Sequence, residues 1–205
     1  MMKKFILGAG GGGRTALSIL ERNNIDNIFF IDDNTEKTEV NECQVLSTIK
    51  NHNFKINSTN EYIISFGCCH MKERNRLYNE LKDYVSFYNA IDKSCIIDRT
   101  VTIGNGNIIC AHTIAYPNSI IGNNCFICVN TTIDHDVVLG NNVYCSPGVN
   151  IAGGAQIGNN VFLGTNCTIL PNIKIDDNAF IGAGSMVNKN INQNEKIVGN
   201  PCRKI

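Results

Sequence analysis

From residue 97 to residue 187 an apolar ladder residue recurs every sixth position without a break in register: Ile97, Ile103, Ile109, Ala115, Ile121, Ile127, Ile133, Leu139, Cys145, Ile151, Ile157, Leu163, Ile169, Ile175, Ile181 and Val187. Fourteen of these sixteen are Ile, Leu or Val, so the spacing is a design and not an accident of composition. A period of six matches neither the 3.6 of an amphipathic helix nor the alternation of a half-buried strand. The residue after the ladder position is often glycine (Gly104, Gly122, Gly140, Gly158, Gly164, Gly182), and four residues after it the side chain is small or β-branched (Val101, Thr113, Val137, Val149, Cys167). Such a repeat predicts a triangular parallel β-helix. Each hexad gives one short strand and one corner, three hexads close a coil, and the ladder residue stacks on its copy in the next coil. Sixteen hexads predict about five coils, with glycine or asparagine at strained corners.

The first ninety residues follow another pattern. Lys3–Leu7, Ile28–Ile31, Tyr62–Phe66 and Val85–Tyr88 read as short strands, and Arg14–Arg22 and Met71–Asp83 as helices, which predicts a small Rossmann-like β-α-β domain with a parallel sheet. We place the boundary between residues 92 and 93. The loop between the first strand and the first helix carries G-x-G-x-x-G at Gly8, Gly10 and Gly13. Glycines there let backbone N–H groups and the helix N-terminus approach phosphate. Asp32 and Asp33 end the second strand about twenty residues on, where a carboxylate accepts hydrogen bonds from ribose or base. The unit is about half the size of a full dinucleotide domain and no hydride-transfer domain follows it. A nucleotide-linked sugar therefore fits better than NAD.

Composition narrows the classes. The chain has 205 residues, 43% apolar and 18% charged, with a formal net charge of +0. No basic stripe points to nucleic acid, and no apolar run approaches membrane-spanning length. The opening Met1–Gly13 is too short in its apolar part for a signal peptide. Ten cysteines without a paired framework suit free thiols and a cytoplasmic location. Cys125-x-x-Cys128 is read as packing, because Cys125 falls on an inward position of the repeat. His112 is read as a corner residue, His52 and His70 lie outside the repeat, and no metal site is expected.

The hexads resemble the left-handed β-helix of the hexapeptide-repeat acyltransferases, and Ile197-Val198-Gly199-Asn200-Pro201-Cys202 resembles their C-terminal segment, with Cys202 where alanine is usual. The whole chain resembles one branch, the NeuD/PglD type of sialic-acid O-acetyltransferases and nucleotide-linked 4-amino-sugar N-acetyltransferases. The resembling pieces are Gly8-Ala9-Gly10-Gly11-Gly12-Gly13, Phe30-Ile31-Asp32-Asp33, Ile64-Ser65-Phe66-Gly67, Ile133-Asp134-His135-Asp136 and Ser146 to Gly154. The resemblance implies acetyl-CoA as co-substrate, bound in the groove between β-helices of a homotrimer, and a sugar linked to UDP or dTDP as acceptor. It implies a base at His135 oriented by Asp136, with Asp134 as an alternative orienter. It further implies an oxyanion donor at Gly153 and acetyl-CoA contacts from Tyr144, Ala152 and Pro201. Nucleotide contacts are expected from Gly8, Gly10, Gly11, Gly12, Asp32, Asp33 and Gly67. The family commonly has histidine where this chain has Gly12, and Arg14 is expected to compensate on the pyrophosphate. It often has asparagine where this chain has Cys128, and Asn130 is expected to take over the sugar contact.

An imidazole with an ordinary pKa near 6.5 suits proton removal at neutral pH, and an adjacent carboxylate holds its tautomer. The resemblance implies N-acetylation of a nucleotide-linked 4-amino-4,6-dideoxy sugar as the activity. O-acetylation of a sialic-acid-type sugar and a non-catalytic nucleotide-binding scaffold are the competing readings.

Overall fold

A computed structural model describes residues 2–54 and 59–205. The N-terminal part holds strands β1 (Lys4–Leu7), β2 (Ile28–Ile31), β3 (Glu39–Val40), β4 (Cys43–Ser47), β5 (Glu61–Ile64) and β6 (Ser86–Phe87), with helices α1 (Gly11–Arg22) and α2 (Met71–Leu81). The sheet order is β3-β4-β2-β1-β5-β6, parallel apart from the β3–β4 pair. β1 is central: Phe5, Ile6 and Leu7 are all buried, as a strand covered on both faces requires.

Two local expectations need correction. The helix begins at Gly11, not at Arg14, so three of the glycines form its first turn. Gly13 can sit there only without a side chain, because a Cβ would lie 2.0 Å from the carbonyl oxygen of Gly8. Strands β3 and β4 were not foreseen. They are joined by Asn41 and Glu42, both with positive φ (48° and 62°), a two-residue hairpin turn without the usual Asn-Gly signature.

The rest is a parallel β-solenoid. Its two-residue strands pair at a spacing of eighteen residues, as in Thr132 with Asn150 and Ile133 with Ile151. They build three sheets, of eight, six and five strands among the described residues. The first sheet runs from Ala90–Ile91 to Lys196–Val198 and is closed by the antiparallel strand Arg203–Lys204. The stack is thus longer than the five coils expected. Rungs at both ends, just upstream of residue 93 and beyond Val187, lie outside the sixteen hexads yet pair in register. From Ile109 to Val187 every ladder residue is buried, and so are the small residues beside it, such as Thr131, Val137, Val149, Ala155 and Cys167.

The strained corners carry asparagine or glycine as expected, with Gly106, Gly148, Gly154 and Gly184 sharing the positive-φ position. Positive φ falls on the fourth hexad position, mostly asparagine: Asn118, Asn124, Asn130, Asn142 and Asn160 lie between 56° and 61°, or close to it at 55° for Asn142. The glycines that follow the ladder are needed for a different reason. A Cβ on Gly122 would lie 2.6 Å from the Gly140 carbonyl oxygen, and one on Gly140 would lie 2.7 Å from the Gly158 carbonyl carbon. Those glycines let successive coils touch.

The α/β domain docks on the outer face of the first sheet. Ala90, Ile108 and Phe126 point outward there and are buried against Ala9, Leu17, Leu20 and Phe30. The aromatic column continues with Tyr144, Phe162 and Phe180, the last two stacked at 4.7 Å. Arg74 of α2 fastens the second contact. It is 1% exposed, donates from Nε to Asn142 Oδ1 at 2.9 Å, and lies over the Tyr144 ring. Burial without a carboxylate partner among the described residues pushes its pKa down to about 10.

Gly140→Ala is expected to lower stability by about 1–3 kcal/mol through forced separation of neighbouring coils. Denaturant unfolding of the variant beside the parent checks this, and an unchanged midpoint contradicts the close-contact reading.

Candidate active site

Two places gather the residues singled out from sequence. The first is a cavity of about 580 Å³ at the C-terminal ends of β1, β2 and β5. Ligands of open parallel sheets bind there, because the loops of neighbouring strands diverge and the helix N-terminus faces the gap. Gly8, Gly10, Gly11, Gly12, Asp32, Asp33 and Gly67 all line it. Gly10, Gly11 and Gly67 have open space where a side chain would project, whereas a Cβ on Gly12 would lie 2.0 Å from the Ser65 carbonyl oxygen. The family's histidine therefore has no room at position 12 in this backbone.

Asp32 holds the glycine loop in place. Its Oδ2 accepts the Ala9 N–H at 2.6 Å and pairs with Lys37 Nζ at 3.3 Å, while Oδ1 accepts the Asn34 N–H at 2.9 Å. Partial burial raises its pKa, but these donors outweigh it and hold the carboxyl below its ordinary value. Asp33 accepts the Ile49 N–H at 2.8 Å and is more exposed. Arg14 does not line this cavity. It faces an adjoining depression shared with Gly11, Thr15, Ala111 and Val129, beside the exposed corner residue Asn130.

Sequence reasoning quoted Ser65 and Phe66 only as part of the Ile64–Gly67 piece and missed Lys37, Ile49, Cys68, Cys69, His70 and Glu73, which complete the wall. The loop after β5 occupies the place beside the β1 loop in the sheet order, and parallel-sheet topology alone could have nominated it.

The second place is the solenoid edge that follows Thr132–Ile133. His135 and Asp136 project there, exposed. The His135 Nδ1 lies 2.8 Å from Asp136 Oδ2. Asp134 does not share this role, since its Oδ1 accepts the His135 backbone N–H at 2.8 Å. The hydrogen bond to Asp136, with the Asp134 charge behind it, raises the imidazole pKa above its ordinary value. A proton on Nδ1, held by the carboxylate, leaves the Nε2 lone pair free.

Gly153 lies eighteen residues on, one coil further along the same edge. A Cβ there would be 2.7 Å from both Cε1 and Nε2 of His135. Glycine thus keeps the free ring nitrogen uncovered. The neighbouring Gly154 N–H and Ala152 N–H are used between coils, but no partner for the Gly153 N–H occurs among the described residues. Ala152 sits beside it. Pro201 belongs to the terminal hairpin, where the Cys202 N–H reaches the Met186 carbonyl, three rungs along the same sheet from Thr132–Ile133. Tyr144 is not brought to this edge within the chain. It lies on the first sheet, its hydroxyl 3.5 Å from Cys128 Sγ.

The PglD N-terminal domain profile matches residues 3–81, and the bacterial transferase hexapeptide profile (six repeats) matches residues 154–189. The chain thus carries a PglD-type N-terminal domain and a run of hexapeptide repeats. WeeI from Acinetobacter baumannii superposes with a TM-score of 0.88 at 25% identity, covering 100% of both chains. PerB from Caulobacter crescentus, solved with CoA and GDP-perosamine, gives 0.92 at 22% identity, over 100% of this chain and 98% of that one. The acetyltransferase domain of PglB from Neisseria gonorrhoeae gives 0.92 at 21%, over 100% of each. A sequence search of curated proteins gives no match. No helix among the described residues is long and apolar enough to cross a membrane.

Gly153→Ala is expected to push the His135 ring aside and to lower turnover about tenfold or more, since small misplacements of a reacting group are costly. Steady-state kinetics with acetyl-CoA check this, and parent-like turnover contradicts it. Asp32→Ala is expected to loosen the glycine loop and raise the nucleotide-sugar KM about tenfold, the acetyl-CoA KM being unchanged. An unaltered nucleotide-sugar KM removes Asp32 from the site.

Proposed function

We propose that this protein is an acetyl-CoA-dependent N-acetyltransferase acting on the amino group of a nucleotide-linked amino sugar. The observation that carries the reading is the exposed imidazole with its Nδ1 held by Asp136 and its Nε2 left open over a glycine. That is the arrangement a general base requires. The glycine-lined cavity supplies the second half, a phosphate-binding loop on a domain too small for hydride chemistry. Support comes also from the likeness to PerB, which was solved with CoA and GDP-perosamine. Its nucleotide is GDP, so the acceptor here is best written as a nucleoside diphosphate sugar, without choosing UDP or dTDP. A 4-amino-4,6-dideoxy sugar is the preferred acceptor.

The chemistry follows from the geometry. The amine attacks the thioester carbonyl, and Nε2 of His135 takes the proton. Asp136 stabilises the imidazolium that forms. The free Gly153 N–H is placed to meet the developing oxyanion. The imidazolium then protonates the departing CoA thiolate, which restores the base. Along the sheet, the rungs from Ile133 to Val187 span about 14 Å at ordinary strand spacing. A bound CoA is proposed to run along this edge, from Gly153 past Ala152 toward Pro201.

The two halves sit on opposite sides of the prism. The α/β domain covers the first sheet, and His135 lies on the edge between the second and third sheets, the one edge the first sheet does not share. We infer a homotrimer of left-handed helices in which residues 1–92 of one subunit present the sugar to residues 93–205 of its neighbour. Tyr144 and Asn130, near the docked face, would then meet the substrate from the nucleotide side.

Release of CoA thiol with a panel of nucleotide-linked amino sugars and matched hydroxyl sugars tests the reading. Amine-dependent release is expected. Release with the hydroxyl acceptors alone indicates O-acetylation, and no release with any acceptor indicates a scaffold. His135→Asn is expected to lower kcat by about 10²–10⁴. The base acts when unprotonated, and Asp136 raises its pKa, so kcat/KM should rise with pH through a limb lying above the ordinary imidazole value of about 6.5. Asp136→Asn should move that limb downward as it lowers the rate. A limb at the same pH in both proteins contradicts the pairing.

A further inference from the structure

The carboxylate of Asp136 is held from two sides. Oδ2 faces the imidazole of His135, and Oδ1 lies 3.3 Å from Nδ2 of Asn118, the residue eighteen positions earlier at the same edge of the preceding coil. Asn118 is itself anchored: its backbone N–H reaches Thr100 Oγ1 of the coil before at 2.9 Å. A row therefore runs from coil to coil, Thr100 to Asn118 to Asp136, and ends on the ring nitrogen that the proposed base does not use.

Asparagine at this position has a simpler explanation, since Asn118 has φ 61° and asparagine fills most of these corners. Asn124 and Asn142 make the same coil-to-coil amide contact, but onto another asparagine, so what sets Asn118 apart is the group its amide meets. The Asn123, Asn141 and Asn159 side chains pass their amides from one to the next, and their ladder ends on the Asp177 carboxylate, away from any imidazole. At residue 118 the amide meets a carboxylate already bonded to histidine. Asp136 is itself at a positive-φ corner (58°) and is exposed, so its side chain needs a second contact to stay in one rotamer.

We infer that Asn118 is a positioning residue for the proposed base, its amide fixing the Asp136 carboxylate in the orientation that holds His135 with Nε2 directed over Gly153. The electrostatic consequence agrees with the geometry. Asp136 stays ionised below its ordinary pKa, first through His135 and then through Asn118. The charged groups acting on the ring are Asp134 and Asp136. The adjacent coils place Pro117 and Gly153 at the same register, and neither titrates.

The activity arm of the test rests on the acetyltransferase reading, and the titration arm does not. The full-length protein labelled at histidine carbons is titrated by NMR, with the His135 signal assigned by its loss in His135→Asn. Asn118→Gly keeps the corner backbone and removes the amide. Its His135 midpoint is expected to fall toward about 6.5. Asn118→Asp also tolerates the corner and puts a second carboxylate beside Asp136, so its midpoint is expected to rise by about one pH unit. In turnover, Asn118→Gly is expected to lower kcat about five- to tenfold with both KM values retained, its pH limb moving with the NMR midpoint. Asn178→Gly, at a corner far from the ring, should change neither quantity.

An unchanged or raised midpoint in Asn118→Gly overturns the inference. So does a loss of turnover shared equally by Asn178→Gly, which makes the effect one of corner stability. If the parent transfers acetyl to no acceptor, the enzymatic reading fails, while the two midpoints still decide whether Asn118 orients the pair.

Discussion

Every position that matters in the solenoid is set by one constraint, the backbone hydrogen bonding that locks each coil to the next at eighteen residues. The Thr132 N–H reaches the Val149 carbonyl at 2.9 Å and the Asp134 N–H reaches Ile151 at 3.0 Å, and the pattern repeats along the stack. A slip of one residue would turn the aliphatic ladder outward, so burial of Ile133, Ile151 and Ile169 enforces the register. The same lock aligns edge residues that the sequence holds far apart. Residues 117, 135 and 153 form one row, and 118, 136 and 154 the next. The open ring nitrogen over Gly153 and the amide of Asn118 on Asp136 both follow from that alignment. Chemistry placed on such an edge needs little reorganisation, because the backbone beneath it is a fixed lattice.

The α/β domain attaches to this lattice through a second period. Residues 108, 126, 144, 162 and 180 are Ile, Phe, Tyr, Phe and Phe, one outward position repeated every coil. The first two are buried under α1, Tyr144 is half covered, and Phe180 is 39% exposed, so the docked domain covers the early part of the column. Arg74 then couples the cavity to the solenoid. Besides Asn142 it reaches the Phe66 carbonyl at 3.4 Å, and Phe66 lines the cavity wall. A buried guanidinium with only neutral acceptors is costly to place, which favours one docked geometry over a range of them.

The fold was legible because its signal is long. Sixteen hexads in register leave few alternatives, and they also placed His135 outward on an edge. Asp136 was expected as the orienter with Asp134 as the alternative, and spacing alone does not separate them, because both flank the histidine. The choice depends on the corner φ at Asp136, which swings that side chain to the ring while Asp134 turns back to a backbone N–H. The division of labour within the glycine loop was hidden for a similar reason. A motif shows that glycines are present but not which of them faces open space, and here Gly10 and Gly11 do so while Gly12 presses on Ser65. The cavity wall from Cys68 to Glu73 has no motif of its own. It is assembled by the adjacency of β1 and β5, a pairing of residues fifty-seven apart that no local pattern announces.

The separation of cavity and base gives the architecture its logic. A prism has three edges, and the first sheet touches two of them. The histidine occupies the third, so the body of the solenoid stands between the glycine loop and the imidazole of the same chain. In the proposed assembly, a sugar held at the loop would reach the proposed base where a second prism presents its edge beside the first. The proposed trimer, three prisms packed edge to face, would satisfy that need for every subunit at once, since a closed ring repeats one contact. Acceptor and acetyl donor would then approach from different chains, and closure of the assembly would itself complete the site.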